Sequence, residues 1–190
     1  MENIVCIING CINKEHKYQK ILYEQFRGFA LKTVFRYIYR YEKAIDVVND
    51  SFVKLFNHLP QFEVGKEAEC LKRFMGWLKK ILINTCIDEL RKGDMLPEIG
   101  GIPDYVWEKE DGPQADQVAL YNDLIALVKA LPPMYRTVFN LYVIDGYTHT
   151  EIANLLKISV GTSKSTLSRA RAILQNSIQK SEAKQYAQPR

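Results

Sequence analysis

THTEIANLLKISVGTSKSTLSRARAIL, residues Thr148 to Leu174, is the stretch that decides the fold. It reads as two short helices joined by a tight turn. Thr148 is a good N-cap, and Glu151, three positions on, completes a capping box. Ile152, Leu155 and Leu156 then give the first helix an apolar stripe. Lys157-Ile158-Ser159 makes the turn, with Ser159 placed to cap the next helix. In that helix Leu167, Ala170 and Leu174 share one face. At about 100° per residue, Ser168 lies about 40° and Arg171 about −20° from Lys164, with Arg169 farther round at about 140°. The outer arc is therefore small and basic, opposite the apolar stripe. Small side chains let a helix approach base edges, and Lys and Arg neutralise phosphates and donate to guanine. This is the pattern of a helix-turn-helix whose second helix enters a DNA major groove. The plainer alternative is an ordinary amphipathic hairpin with a solvated basic face.

The flanking sequence is helical as well. Patterns at helical spacing run over about 14–40, 43–59 and 67–92, and again over about 115–130, 133–145, 148–156 and 160–178. Pro132-Pro133 suits a helix start and Gly146 a helix end. No strand pattern and no internal repeat stands out. Between the two sets, Gly93 to Pro113 holds four Gly, three Pro and scattered acids, the composition of a linker. The expected fold is all-α: two helical domains joined by a flexible acidic linker, the second containing the helix-turn-helix. The boundaries fall at 1–95, 96–114 and 115–180, with a tail at 181–190.

Charge follows the same division. Residues 1–95 carry 16 Lys/Arg against 12 Asp/Glu, residues 96–119 carry 1 against 6, and residues 120–190 carry 9 against 4. Two basic halves suit a polyanionic partner, although excesses this small also serve solubility alone. With 47% hydrophobic residues, a folded core is expected. Cys6, Cys11, Cys70 and Cys86 form no CxxC pair and, with the three histidines, no metal-ligand spacing. They read as reduced thiols of a cytosolic protein. Ile4 to Ile8 is apolar, but the run is too short for a signal peptide and Glu2 stands where a basic residue belongs. No segment approaches the roughly 18 apolar residues of a membrane span. A cytoplasmic location without membrane insertion is expected.

A second informative stretch is ECLKRFMGWLKKILINTCIDELRK, Glu69 to Lys92. Leu71, Phe74, Met75, Leu78 and Leu82 form its expected core stripe. Measured from Arg73, Trp77 lies at about 40°, Lys80 at about −20°, Asn84 at about 20° and Arg91 at about 0°. One aromatic, one amide and three cations thus line a narrow arc away from the core. That set suits single-stranded nucleic acid: the ring stacks on a base, the amide reads an edge and the cations hold the backbone. A tryptophan capping the core beneath snorkelling lysines is the equally open alternative.

Taken in order, AIDVVNDSFVKLFNHL (Ala44 to Leu59), FMGWLKKILINTCIDELRK (Phe74 to Lys92) and Leu131 to Leu174 resemble regions 2.2, 2.3–2.4 and 4 of bacterial RNA polymerase sigma factors of the extracytoplasmic-function (ECF) group. The resemblance covers about 14–178. It implies that Asp46, Asn49 and Asp50 dock on the β′ clamp helices of core RNA polymerase, with Phe52 and Leu55 either beside them or simply in the core. It implies that Trp77 supports the melting domain and that Asn84 helps form the pocket for a flipped base of the −10 element. Arg73, Lys80, Arg91 and Lys92 would track the non-template strand. Lys164, Ser168, Arg169 and Arg171 match positions that contact the −35 element. Core polymerase (β′ clamp helices and β flap) and promoter DNA are the implied partners, with an anti-sigma factor as a further one that the group commonly has. The acidic linker would thread the polymerase cleft, or act as a plain tether. The chain departs from the family at Thr166, where many relatives carry Arg, and at Ser163, where Val is usual; both bear on which −35 sequence is read.

The competing reading is a helix-turn-helix regulator that acts without core polymerase. The first 95 residues lack the alternating βα units and strand-end acids of a receiver domain. An enzyme is more distant still: no Ser/His/Asp set and no Gly-rich phosphate loop is present, and no cofactor or metal is expected.

Overall fold

The structure, a computed structural model, describes residues 3–65, 67–92 and 125–186. The expected acidic linker at 96–114 and most of the helix expected at 115–130 lie outside them. The described residues are helical and fall into two compact units, 3–92 and 125–186.

The first unit holds α1 (Ile4–Ile12), α2 (His16–Val34), α3 (Tyr41–His58), a short 3-10 turn (Leu59–Gln61) and α4 (Glu67–Lys92). Helix α1 is an element the sequence reading missed. Asn3 caps it by accepting from the Val5 N–H, and Ile7, Ile8 and Cys11 are buried against the rest of the unit. Burial raises the Cys11 thiol to a pKa of about 11, with Glu15 adding to the shift, so it stays a neutral thiol. Gly10 is needed here because a Cβ would run into the Tyr18 ring.

Helix α2 stops at Val34, well short of the expected 40. Phe35, Tyr37, Ile38 and Tyr39 are all buried, and near-consecutive burial of this kind cannot come from one face of a helix. The chain instead turns through Arg36 N–H to Thr33 and Ile38 N–H to Val34 bonds and packs both sides of the turn.

Helix α4 is the spine of the unit and touches α1, α2 and α3. Its buried row is Cys70, Phe74, Leu78, Leu82, Cys86 and Leu90. Steps of four drift by about 40° each, so this row winds around the helix rather than running straight. The straight stripe expected from the sequence is therefore corrected at its start: Leu71 is 42% exposed and Met75 only half-buried. Aromatic pairs tie α4 to its neighbours, Phe26 to Phe74 at 5.0 Å among them.

The second unit begins with a helical stretch over 125–129. It continues with α5 (Pro133–Phe139), a π-helical turn (Asn140–Ile144), α6 (His149–Leu156) and α7 (Val160–Tyr186). Pro133 sits at the first turn of α5, as expected. Buried Arg136 donates to the Lys129 carbonyl at 3.1 Å and so satisfies the end of the preceding helical stretch. Gly146, at φ +77°, leads the chain out of the π turn. Ile152, Ala153 and Leu156 of α6 pack with Leu167 and Ala170 of α7. Helix α7 runs past the expected 178 to Tyr186.

Candidate nucleic-acid interface

Three surfaces carry the residues singled out by sequence. On α3, Asp46, Asn49 and Asp50 are exposed on one side of the helix. Asn49 accepts from the Tyr23 hydroxyl at 2.9 Å, which fixes its amide against α2. Asp46 and Asp50 have no ion-pair partner among the described residues. Phe52 and Leu55 are buried, which settles them as core residues and not as part of an exposed docking face.

On α4 the outer arc forms as expected. Lys80, Arg73, Arg91 and Lys92 are exposed, and Trp77 and Asn84 are half-buried. Two features give the arc its shape. The first is Phe62, in the loop before α4. Its ring lies 5.3 Å from that of Trp77 and edge-on to buried Phe74. Trp77 is thereby propped from the core through Phe62. The Arg73 guanidinium lies 5.9 Å over the same Phe62 ring and pairs with Glu63 at 3.6 Å. Sequence reasoning missed Phe62 because it stands outside any helical period; an aromatic flanked by turn residues was the only hint.

The second feature is the charge around the end of α4. Arg91 pairs with Asp88 at 3.4 Å and Lys92 with Glu89 at 3.3 Å. From α3, Lys43 reaches Glu89 at 2.6 Å, and Lys54 reaches Thr85 at 3.2 Å and Asp88 at 3.8 Å. The hydrogen bond from Lys43, helped by Lys92, holds the Glu89 carboxyl below its usual range despite partial burial. A lowered native pKa means this link supports folding fully above the ordinary carboxylate range and is lost as pH falls through the native value. The Asn84 amide, in contrast, has no hydrogen-bond partner among the described residues. It is half-covered, on the same arc of α4 as the propped tryptophan and the exposed cations, with its donor and acceptor uncommitted among the described residues.

In the second unit the helix-turn-helix is built as its sequence says. The Thr148 hydroxyl accepts from the Glu151 N–H while the Glu151 carboxylate accepts from the Thr148 N–H. Ser159 caps α7 by accepting from the Thr162 N–H at 2.9 Å. Lys157 takes the left-handed conformation at φ +56°, and the Ile158 N–H closes back on Ala153. Lys164, Ser168, Arg169 and Arg171 are all exposed on α7, and none has an acidic partner among the described residues. The two family departures lie elsewhere. Ser163 is 0% and Thr166 5% exposed. Both departures therefore fall at buried positions of α7 within the second unit. Ser163 shares a 2.9 Å hydrogen bond with His149 Nδ1.

Among the described residues no group of His, Cys, Asp and Glu is placed to hold a metal ion, and no helix is long and apolar enough to cross a membrane. None of Cys6, Cys11, Cys70 and Cys86 is in a disulfide.

Comparison with known proteins agrees with this division. The family model for sigma-70 region 2 matches residues 22–95 and that for sigma-70 region 4 matches 121–174. The chain is 29% identical over 160 residues to the ECF RNA polymerase sigma factor SigE of Mycolicibacterium smegmatis, covering 77% of this chain and 58% of that protein's length. It is 27% identical to the ECF RNA polymerase sigma factor SigW of Bacillus subtilis, covering 76% of this chain and 80% of that protein. In fold it is similar to a sigma factor RpoE from Bartonella quintana solved with the anti-sigma factor NepR, with a TM-score of 0.53 and 22% identity over 84% of this chain and 96% of that one. Two family models in chain order and relatives of one kind show that the chain belongs to the extracytoplasmic-function group of RNA polymerase sigma factors, the subunits that direct transcription initiation.

Proposed function

We propose that the three surfaces divide the work of initiation. The acidic face of α3 (Asp46, Asn49, Asp50) docks on the β′ clamp helices of core polymerase. The exposed arc of α7 reads a duplex −35 element, and the outer arc of α4 captures one strand of the −10 element after it opens. The observation that supports this most is the make-up of the α4 arc. It pairs an uncommitted, half-covered amide and a propped tryptophan with exposed cations.

Melting on this reading needs no side-chain nucleophile. Extruding a base costs a few kcal/mol in lost pairing and stacking. Stacking on an aromatic ring returns about 1–3 kcal/mol per base, and edge contacts at Asn84 add to it. Arg73, Lys80, Arg91 and Lys92 then hold the strand by its phosphates. Such a protein is a DNA-recognition subunit rather than an enzyme, and it works in the cytoplasm with polymerase.

The domain limits 1–95, 96–114 and 115–180 follow the same division. The acidic 96–119 stretch would occupy a basic nucleic-acid channel of the polymerase, and the β flap and an anti-sigma factor are further partners in keeping with the group. Run-off transcription with core polymerase of the source organism tests the reading: defined transcripts should appear only when this protein is added. A gel shift separates the competing regulator, which would bind duplex promoter tightly without core polymerase.

A further inference from the structure

Among the described residues, Arg171 is the one cation of the α7 arc whose guanidinium lies over a ring. It lies 5.8 Å from the centroid of Tyr142, a residue of the π-helical turn. Tyr142 is stacked at 4.5 Å and 25° with His149, at the start of α6. His149 in turn shares its Nδ1 hydrogen bond with Ser163, inside α7. Ser163 is fully buried, and a hydroxyl buried without a partner is unfavourable. His149 supplies that partner. The four residues therefore form a closed path: it leaves the inner face of α7 at Ser163, crosses α6 and the π turn, and returns to the outer face of α7 at Arg171.

We infer that this path is a brace for Arg171, and that Tyr142 and His149 are positioning residues for −35 discrimination. A free arginine samples many rotamers, and ordering it on a base weakens the contact. A guanidinium already laid on an aromatic face has lost part of that freedom before DNA arrives. The π turn serves the same end. Tyr142 stands within that turn, 36% exposed, with its ring reaching across to Arg171 of α7. The inference rests on the assignment of Arg171 as a −35 contact.

The test is a selection of bound sequences from promoters randomised over the −35 region, using holoenzyme assembled from the full chain and core polymerase. Tyr142→Leu should lower discrimination at one base pair about two- to fivefold, the size of an exposed cation–π contact. Tyr142→Phe keeps the ring and should match wild type. His149→Asn keeps a hydrogen-bonding atom near Ser163 and removes the stacked ring; it should shift discrimination the same way, which guards against Tyr142→Leu failing to fold. Both losses should vanish when Arg171 is already Ala. If Arg171→Ala lowers discrimination but Tyr142→Leu and His149→Asn do not, or if their effects simply add to it, the brace is overturned. If Arg171→Ala itself changes nothing, the reader assignment fails and the brace with it.

Discussion

The cations of α4 and those of α7 face outward alike but are held differently. On α4, Arg73, Arg91 and Lys92 each have a carboxylate within 3.6 Å: Glu63, Asp88 and Glu89. On α7, Lys164, Arg169 and Arg171 have none among the described residues. The α7 arc is therefore open to duplex phosphates at any time. On the proposed reading, Arg73, Arg91 and Lys92 of the α4 arc exchange internal partners for strand phosphates while Lys80 has no acidic partner among the described residues, and the amide and tryptophan take a base only after it has left the duplex. One surface suits finding a promoter and the other suits holding it open. Exposed ion pairs are worth only about 0–1 kcal/mol each, so this restraint is mild and easily displaced.

The largest effect expected comes from the surface that belongs to neither arc. Asp46→Lys with Asp50→Lys reverses the sign of the α3 face, and both residues are exposed. Association with core polymerase should be lost with helical content unchanged, by co-purification and circular dichroism; normal co-purification would remove α3 as the docking face. Next in size is the α7 arc. Arg171→Ala should reduce −35 binding by about 1–3 kcal/mol at one base pair, while Lys164→Ala should weaken all sequences alike and lower the salt slope by about one. Equal use of promoters with and without a −35 element by wild type and both variants would show that α7 reads nothing. The smallest effect sharpens the contrast itself. Asp88→Asn removes one acid shared by Arg91 and Lys54, so holoenzyme affinity for a single-stranded −10 oligonucleotide should rise by up to about 1 kcal/mol at low salt and less at high salt. A fall in affinity would mean that Asp88 helps the strand bind and does not compete with it.

What the sequence made legible was local. The capping box at Thr148, the Ser159 cap, the proline start of α5 and the outward arcs of α4 and α7 depend on residues within a few positions of each other, and periodicity reports them directly. What it hid depends on partners far along the chain. Helix α1 holds a short apolar run that gains its meaning only from burial against the rest of the first unit. The buried row of α4 winds among three surrounding helices, so Cys70 is buried at its start and Leu71, expected in the core stripe, is exposed. Ser163 is interior, and its hydroxyl finds a partner in His149, fourteen positions back along the chain. Phe62 under Trp77 lies in a loop, and Tyr142 beside Arg171 lies in a π-helical turn whose departure from regular helical spacing periodicity does not report.

The central claim is that α4 acts on DNA after it opens and α7 before. Asn84→Ala retains helix propensity and removes one amide donor and acceptor. Permanganate footprinting of Asn84→Ala and Arg171→Ala holoenzymes, each on a duplex promoter and on one with a premelted −10 bubble, tests the claim directly. Asn84→Ala should fail to open the duplex and recover partly on the bubble. Arg171→Ala should keep its defect in promoter occupancy on both. Normal opening of the duplex promoter by Asn84→Ala would contradict the account and return Asn84 to an ordinary residue on the face of α4.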